Sequence, residues 1–132
     1  MLIVEANIRV LVVEDHPQLQ SHLKLLLEDY QGIEVIGVAD NGQQAVELSA
    51  KIHPDVVLMD VVMPVMDGFT ATTIIREKSP DIHVVILTNG RLGDKERAAE
   101  VGAGAFLLKP VSMEHIVGTI RKIYASNHNA TC

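Results

Sequence analysis

Cysteine and aromatic residues are scarce in this sequence, which has one cysteine, no tryptophan, two phenylalanines and two tyrosines. The cysteine is Cys132, at the very end of the sequence. One thiol excludes an internal disulfide and a metal cluster held by cysteines. A reducing, cytoplasmic setting is therefore expected.

Basic clusters and long apolar runs are also missing. The net charge is −6 and no group of Lys and Arg residues stands out, so we do not expect this domain to bind nucleic acid directly. No apolar run approaches the roughly 18 residues that cross a bilayer, and residues 1–10 lack a signal-peptide pattern. We expect a soluble domain with no membrane partner.

The composition is that of a single folded domain. The chain has 132 residues, of which 48% are hydrophobic and 21% are charged, and this length suits one hydrophobic core. We assign residues 1–126 to the domain. The polar segment 127–132 is expected to be a flexible C-terminal tail.

Five short apolar runs predict the strands of a parallel sheet. They are rich in Val, Ile and Leu with little polar alternation, as in strands that are covered on both faces. The predicted strands are Ile8–Val13, Glu34–Val38, Val56–Met59, Val84–Leu87 and Ala105–Leu108.

Helical patterns separate and follow these runs. The first helix is predicted from a leucine stripe, the second from an Asn41/Gln44 capping box, and the last from a cap at Ser112. The leucines of the stripe are Leu19, Leu23, Leu26 and Leu27, and the remaining two predicted helices are Gly68–Lys78 and Asp94–Val101. Alternating strands and helices predict a three-layer α/β domain, a doubly wound, five-stranded parallel sheet.

Polar residues follow four of the five predicted strands. Glu14 and Asp15 follow the first strand, and Asp60, Thr88 and Lys109 follow the third, fourth and fifth. Ligands of open α/β sheets bind outside the carboxyl ends of the strands. These side chains should therefore converge there, although each alone has a structural explanation, such as Asp15 capping the first helix.

The predicted convergence has a chemical consequence. Three carboxylates in one pocket repel each other unless a cation binds, and ligands that are all oxygen favour Mg²⁺. Mg²⁺, the Lys109 ammonium and the Thr88 hydroxyl are groups that can hold a transferring phosphoryl group. Asp60 is the natural nucleophile, because a carboxylate can form an acyl phosphate. The predicted reaction is phosphoryl transfer onto Asp60.

At these residues the sequence resembles the receiver domain of two-component response regulators, over residues 8–125. The resemblance is strongest to receivers of helix-turn-helix transcription regulators. The motifs that carry it are Val-Val-Glu14-Asp15-His-Pro, Pro-Asp-Val-Val-Leu-Met-Asp60-Val-Val-Met-Pro64, Met66-Asp67-Gly68, Leu-Thr88 and Gly102-Ala-Gly-Ala-Phe106-Leu-Leu-Lys109-Pro110.

The resemblance implies a flavodoxin-like strand order of 2-1-3-4-5 and a signalling role rather than an enzyme that turns over a substrate. The implied phosphodonor is a histidine kinase or a phosphotransfer protein, with a downstream output domain or protein as the other partner. A phosphorylation-dependent homodimer is a further expectation.

The resemblance also implies the role of each site residue. Asp15, Asp60 and the Val62 carbonyl would bind Mg²⁺ directly, Glu14 would act through water, and Lys109 would pair with the phosphoryl group. Lys109-Pro110 would be a cis peptide.

Thr88 and Phe106 would be a switch pair that changes the surface of helix four, strand five and helix five. Plain core packing is an equally good reading of Phe106. Asp67-Gly68 is read as a turn in which glycine supplies an unusual φ, with no catalytic role.

Asn89 departs from the family pattern, which usually has a small residue after the threonine. We expect its side chain to narrow access to the site. Val62 and Gly90 offer no acid or amide that could orient a water, so a long-lived phosphoaspartate is expected.

Two readings from other classes of protein stay open. A phosphohydrolase of the haloacid dehalogenase type would need an acid at the position of Val62. A flavin- or nucleotide-binding module would need a Gly-rich or Ser/Thr-rich loop where Glu14-Asp15 stands. A degenerate receiver that only binds partners is the third alternative, against which the complete set of polar residues argues.

Overall fold

A computed structural model describes residues 7–129 as five strands alternating with five helices. Most predicted boundaries agree with the structure to within one residue. The elements are, in chain order, β1 (Ile8–Val13), α1 (Pro17–Glu28), β2 (Ile33–Ala39), α2 (Gly42–Ile52), β3 (Val56–Asp60), α3 (Gly68–Lys78), β4 (His83–Thr88), α4 (Asp94–Glu100), β5 (Ala105–Leu108) and α5 (Met113–Asn129).

The five strands form one parallel sheet with the order β2-β1-β3-β4-β5. The predicted doubly wound, flavodoxin-like α/β fold is therefore confirmed. Strand order reverses at β1, which lies between β2 and β3. The carboxyl ends of β1 and β3 thus flank the switch point at which ligands bind in such sheets.

Strand residues alternate between two apolar cores, one on each face of the sheet. Val10 and Val12 pack with residues of α1 and α5, whereas Leu11 and Val13 pack with residues of α2, α3 and α4. The central strand β3 divides its side chains in the same way between the two cores. Because both faces are covered, the continuous apolar runs of the sequence are what this sheet requires.

Side-chain caps mark where helices α2 and α5 begin. The Asn41 carboxamide accepts the Gln44 N–H at 2.9 Å, as predicted, and the Gln44 side chain accepts the Asp40 N–H at 2.9 Å. Ser112 Oγ accepts the His115 N–H at 3.1 Å. Each bond satisfies one N–H group that has no partner within its helix.

The buried face of α1 differs from the predicted leucine stripe. Leu23 and Leu27 are buried, but Leu19 is 38% exposed and Gln20 is buried in its place. Gln20, Leu23 and Leu27 follow the i, i+3, i+7 spacing of one helix face. Gln20 belongs to that face because its carboxamide finds hydrogen-bond partners there.

The reading of Gly68 as the source of an unusual φ is wrong. Asp67 is the N-cap of α3 and accepts the Thr70 N–H at 2.8 Å, and Gly68 has no positive φ. Glycine is required at position 68 because a Cβ would collide with the carbonyl oxygen of Asp60. The positive φ of this loop, 69°, belongs to Val65, whose side chain is 81% exposed.

The C-terminal helix extends into the segment predicted to be a tail. Helix α5 continues to Asn129, and residues 130–132 lie outside the described part of the chain, as do residues 1–6. The predicted domain boundary at residue 126 thus remains a prediction. Within residues 7–129, every helix is too short or too polar to cross a lipid bilayer.

Replacing Gly68 by alanine is expected to destabilise the domain by about 2–4 kcal/mol, because the collision is with backbone atoms that cannot rotate away. The matched control is Gly118→Ala in the exposed part of α5, where an added Cβ meets nothing within 4 Å. This control should gain about 0.5–1 kcal/mol of stability. Urea unfolding of both variants tests the pair, and equal stabilities would contradict the close-approach explanation.

Candidate functional site

The parallel register brings the polar residues of four strand ends to one edge of the sheet. Asp60 ends β3 and Thr88 ends β4, while Glu14 and Lys109 directly follow β1 and β5. Thr88 is paired with Leu108, the residue before Lys109. The predicted convergence is what the structure shows.

Lys109 is the link between the acidic groups. Its Nζ lies 3.6 Å from Asp60 Oδ1 and 3.8 Å from Glu14 Oε1. The backbone fixes the residue, because the Lys109 N–H donates to the Thr88 carbonyl at 2.8 Å and the bond to Pro110 is cis, as predicted. The ammonium group is thus held between two carboxylates that approach from different strands.

Glu14 and Asp15 form an acidic pair beside this ammonium group. Glu14 is 2% exposed and accepts the His16 N–H at 3.1 Å. The His16 ring Nδ1 lies 3.0 Å from Glu14 Oε2 and 3.3 Å from Asp15 Oδ1. The hydrogen bond to Glu14 and the charges of both acids raise the pKa of the His16 imidazole.

Asp15 does not cap α1, which was its structural alternative. The N-cap of α1 is His16, and no side chain caps the helix. Asp15 Oδ1 is buried and accepts no hydrogen bond, although the His16 ring Nδ1 lies 3.3 Å away. A buried carboxylate oxygen that accepts no hydrogen bond and lies next to another carboxylate fits a site for a hard divalent cation.

The carboxyl group of Asp60 is in an environment that disfavours its ionised form. Burial, and then the negative charge of Glu14, raise the pKa of Asp60, although Lys109 and the Val61 N–H oppose this effect. The Val61 N–H donates to Asp60 Oδ1 at 2.9 Å. A bound cation would lower the pKa of Asp60 again and so favour the ionised form, which is the nucleophilic one.

A single cleft opens above these groups. It contains the predicted residues Val62 and Asn89, both exposed, and the buried Thr88, whose Oγ1 accepts the Gly90 N–H at 3.3 Å. The residues that line the cleft are Asp15, His16, Gln18, Leu19, Asp60, Val62, Thr88, Asn89, Gly90, Arg91 and Lys109.

Phe106 is the predicted residue that lies elsewhere. Its ring is half-buried against the core between the sheet and helices α2–α4, and it borders a separate groove with Pro110 and His115. Both readings of Phe106, core and switch, are compatible with this position. Its switch role therefore remains a prediction.

Gln20 supports the site although the sequence did not suggest it. Its Nε2 donates to the carbonyls of Glu14 and Ala39, each at 3.0 Å, and lies 2.8 Å from Asp40 Oδ1. These bonds tie the ends of β1 and β2 to α1. The signal in the sequence is a polar residue, Gln20, at the helical spacing of the buried Leu23 and Leu27.

Known proteins are similar to this chain in both sequence and fold. The response regulator receiver domain model matches residues 10–121. Response regulator GacA of Pseudomonas aeruginosa is 37% identical over 119 residues, which are 89% of this chain and 56% of that protein. Response regulator protein VraR of Staphylococcus epidermidis is 38% identical with the same two coverages, 89% and 56%.

Solved structures agree with these relatives. The receiver domain of the putative response regulator NarL from Mycobacterium tuberculosis matches with a TM-score of 0.87 and 30% identity, covering 92% of this chain and 98% of that one. A LuxR-family DNA-binding response regulator from Staphylococcus aureus matches with a TM-score of 0.83 and 32% identity, covering 88% and 98%.

The chain spans little more than half the length of the curated relatives, 56% in each case. Residues 10–121, which the family model matches, contain the cleft and all of the sheet except the first two residues of β1. The phosphohydrolase and flavin-module alternatives are not favoured by these matches. The chain belongs to the response regulator receiver domain family, and it is a signalling domain of two-component systems.

Proposed function

We propose that this domain receives a phosphoryl group on Asp60 and that this changes its interaction with an output. The observation that carries the proposal is the position of Lys109 Nζ, 3.6 Å from Asp60 Oδ1 in a cleft that also contains Asp15 and Thr88. A nucleophilic carboxylate thus has a cation and a hydroxyl group beside it. These groups can accept, neutralise and hold a transferred phosphoryl group.

The donor set fits Mg²⁺. Asp15, Asp60 and the Val62 carbonyl would hold the ion directly and Glu14 would hold it through water, and the ion would neutralise the charge of the phosphoryl oxygens. The chain's own residues supply the remaining steps. An Asp60 oxygen attacks phosphorus while the bond to the donor's leaving group breaks, and Lys109 pairs with the transferred group.

The proposed donors are a histidine kinase or a phosphotransfer protein. The domain catalyses its own phosphorylation and dephosphorylation and does not turn over a separate substrate. The proposed output is a further domain or protein, which agrees with the DNA-binding LuxR-family regulator among the similar structures. A second copy of this domain, in a phosphorylation-dependent homodimer, is a further proposed partner.

The proposed switch connects the cleft to the groove beside it. Thr88 ends β4 inside the cleft, and Phe106 lies on the neighbouring strand β5, where it borders the groove of α4, β5 and α5. Movement of the Thr88 hydroxyl towards a phosphoryl oxygen would leave space for the Phe106 ring. The α4-β5-α5 surface would then differ between the two states.

Incubation with acetyl phosphate should add one phosphoryl group, about 80 Da by its atomic composition, only when Mg²⁺ is present. Asp60→Asn should abolish the addition, because an amide is a poor nucleophile. The matched control is Asp67→Asn, which changes an acid in the loop that follows Asp60, lies outside the cleft and keeps a good helix cap. Intact-mass measurement decides, and labelling of Asp60→Asn would refute the assignment.

Asn89→Ala should increase the rate of labelling about three-fold, because the exposed Asn89 side chain lines the entrance of the cleft. The control is Gln43→Ala, which truncates an exposed amide side chain of α2 outside the cleft. The time course of the mass increase at fixed donor concentration gives the labelling rate of both variants. Unchanged labelling and decay rates in Asn89→Ala would remove the access role.

The phosphorylated domain should decay slowly, because neither Val62 nor Gly90 offers a group that orients an attacking water. Introducing an amide with Val62→Asn should accelerate decay several-fold, by about 1 kcal/mol of barrier. The control is Val65→Asn, the same substitution in the same loop at an exposed position outside the cleft. Loss of the added mass after donor removal is measured, and equal decay of both variants contradicts the explanation.

A further inference from the structure

Arg91 lies at the mouth of the cleft in a loop whose shape is fixed. Gly90 and Gly93 have φ values of 87° and 89°, conformations that favour glycine, and they enclose Arg91 and Leu92. The Arg91 N–H donates to Asp94 Oδ2 at 2.9 Å, and the Arg91 carbonyl accepts the Asp94 N–H at 3.0 Å. Asp94 thus anchors the backbone of Arg91 on both sides.

The Arg91 guanidinium group, in contrast to its backbone, is not engaged. Arg91 is exposed and lines the same cleft as Asp60. Among the described side chains it forms no ion pair and donates no side-chain hydrogen bond. Lys109, the other permanent cation of the cleft, already faces Glu14 and Asp60. Arg91 is therefore the cation of the cleft whose side chain is available to bind an incoming anion.

The charge of the cleft makes such a cation useful. With Mg²⁺ bound, the ion and Lys109 would together balance the charges of Asp15, Asp60 and Glu14, so the inner cleft would offer an incoming anionic phosphodonor no excess of positive charge. A guanidinium group presents parallel N–H donors that match the oxygens of a phosphate or a carboxylate. An arginine at the entrance would supply that positive charge and attract the donor before the phosphoryl group reaches Lys109.

We propose that Arg91 determines the preference for small phosphodonors by binding the anionic groups of an acyl phosphate at the cleft entrance. This inference rests on the proposed phosphorylation of Asp60. In the reaction, a bond forms between an Asp60 oxygen and phosphorus, the bond between phosphorus and the acyl oxygen breaks, and the carboxylate leaves with its electron pair. Arg91 is a binding residue in this scheme and exchanges no proton.

Two donors of different charge test the inference. Acetyl phosphate carries one negative charge more than phosphoramidate at neutral pH, because the phosphoramidate nitrogen is protonated. Arg91→Gln should lower the second-order rate constant for acetyl phosphate about five-fold at low salt and that for phosphoramidate less than about two-fold. Arg91→Lys should keep most of the preference, and added salt should reduce the difference between the donors.

Lys51→Gln is the matched control, because it removes the same charge from the last turn of α2, at the opposite edge of the sheet. Equal losses with both donors, no loss at all, or the same loss in Lys51→Gln would each overturn the role of Arg91. The proposed function fails in a different way, since wild-type protein would then gain no phosphoryl mass from either donor.

Discussion

The placement of two acidic groups around one ammonium group is the constraint on which this structure depends. Glu14 is almost completely buried, Asp60 is partly buried, and Lys109 lies within 4 Å of both. Without that cation the carboxylates would repel each other in surroundings poor in water. Backbone contacts such as the hydrogen bond from the Lys109 N–H to the Thr88 carbonyl keep these groups in place.

The sheet supplies the rigidity that the site needs. β1 and β3 are buried on both faces and carry Glu14 and Asp60 at their carboxyl ends, so the two acids are positioned by packed cores rather than by mobile loops. Gln20 adds hydrogen bonds from α1 to the ends of β1 and β2. A rigid frame of this kind holds both acids at fixed positions beside Lys109.

Close contacts between backbone segments explain two glycines that could be mistaken for turn residues chosen for their φ. Gly68 brings the start of α3 against the carbonyl of Asp60, and Gly42 brings the start of α2 against the backbone of Met66. Both contacts fix the loop that follows Asp60. The positive φ of Val65 is thereby the consequence of a loop held at both ends, because β-branched residues do not adopt this conformation by preference.

The sequence by itself determined the order of the strands and helices, the caps at Asn41 and Ser112, and the set of strand-end residues from Glu14 to Lys109. These features follow from local periodicity, from side-chain bonds across a few residues, and from the rule that parallel strands end at one edge. Only the tertiary structure decided which face of α1 is buried, why residue 68 is glycine, and that Gln20 and Arg91 belong to the site. These four outcomes depend on contacts between segments that are distant in the chain, and local patterns carry no information about such contacts.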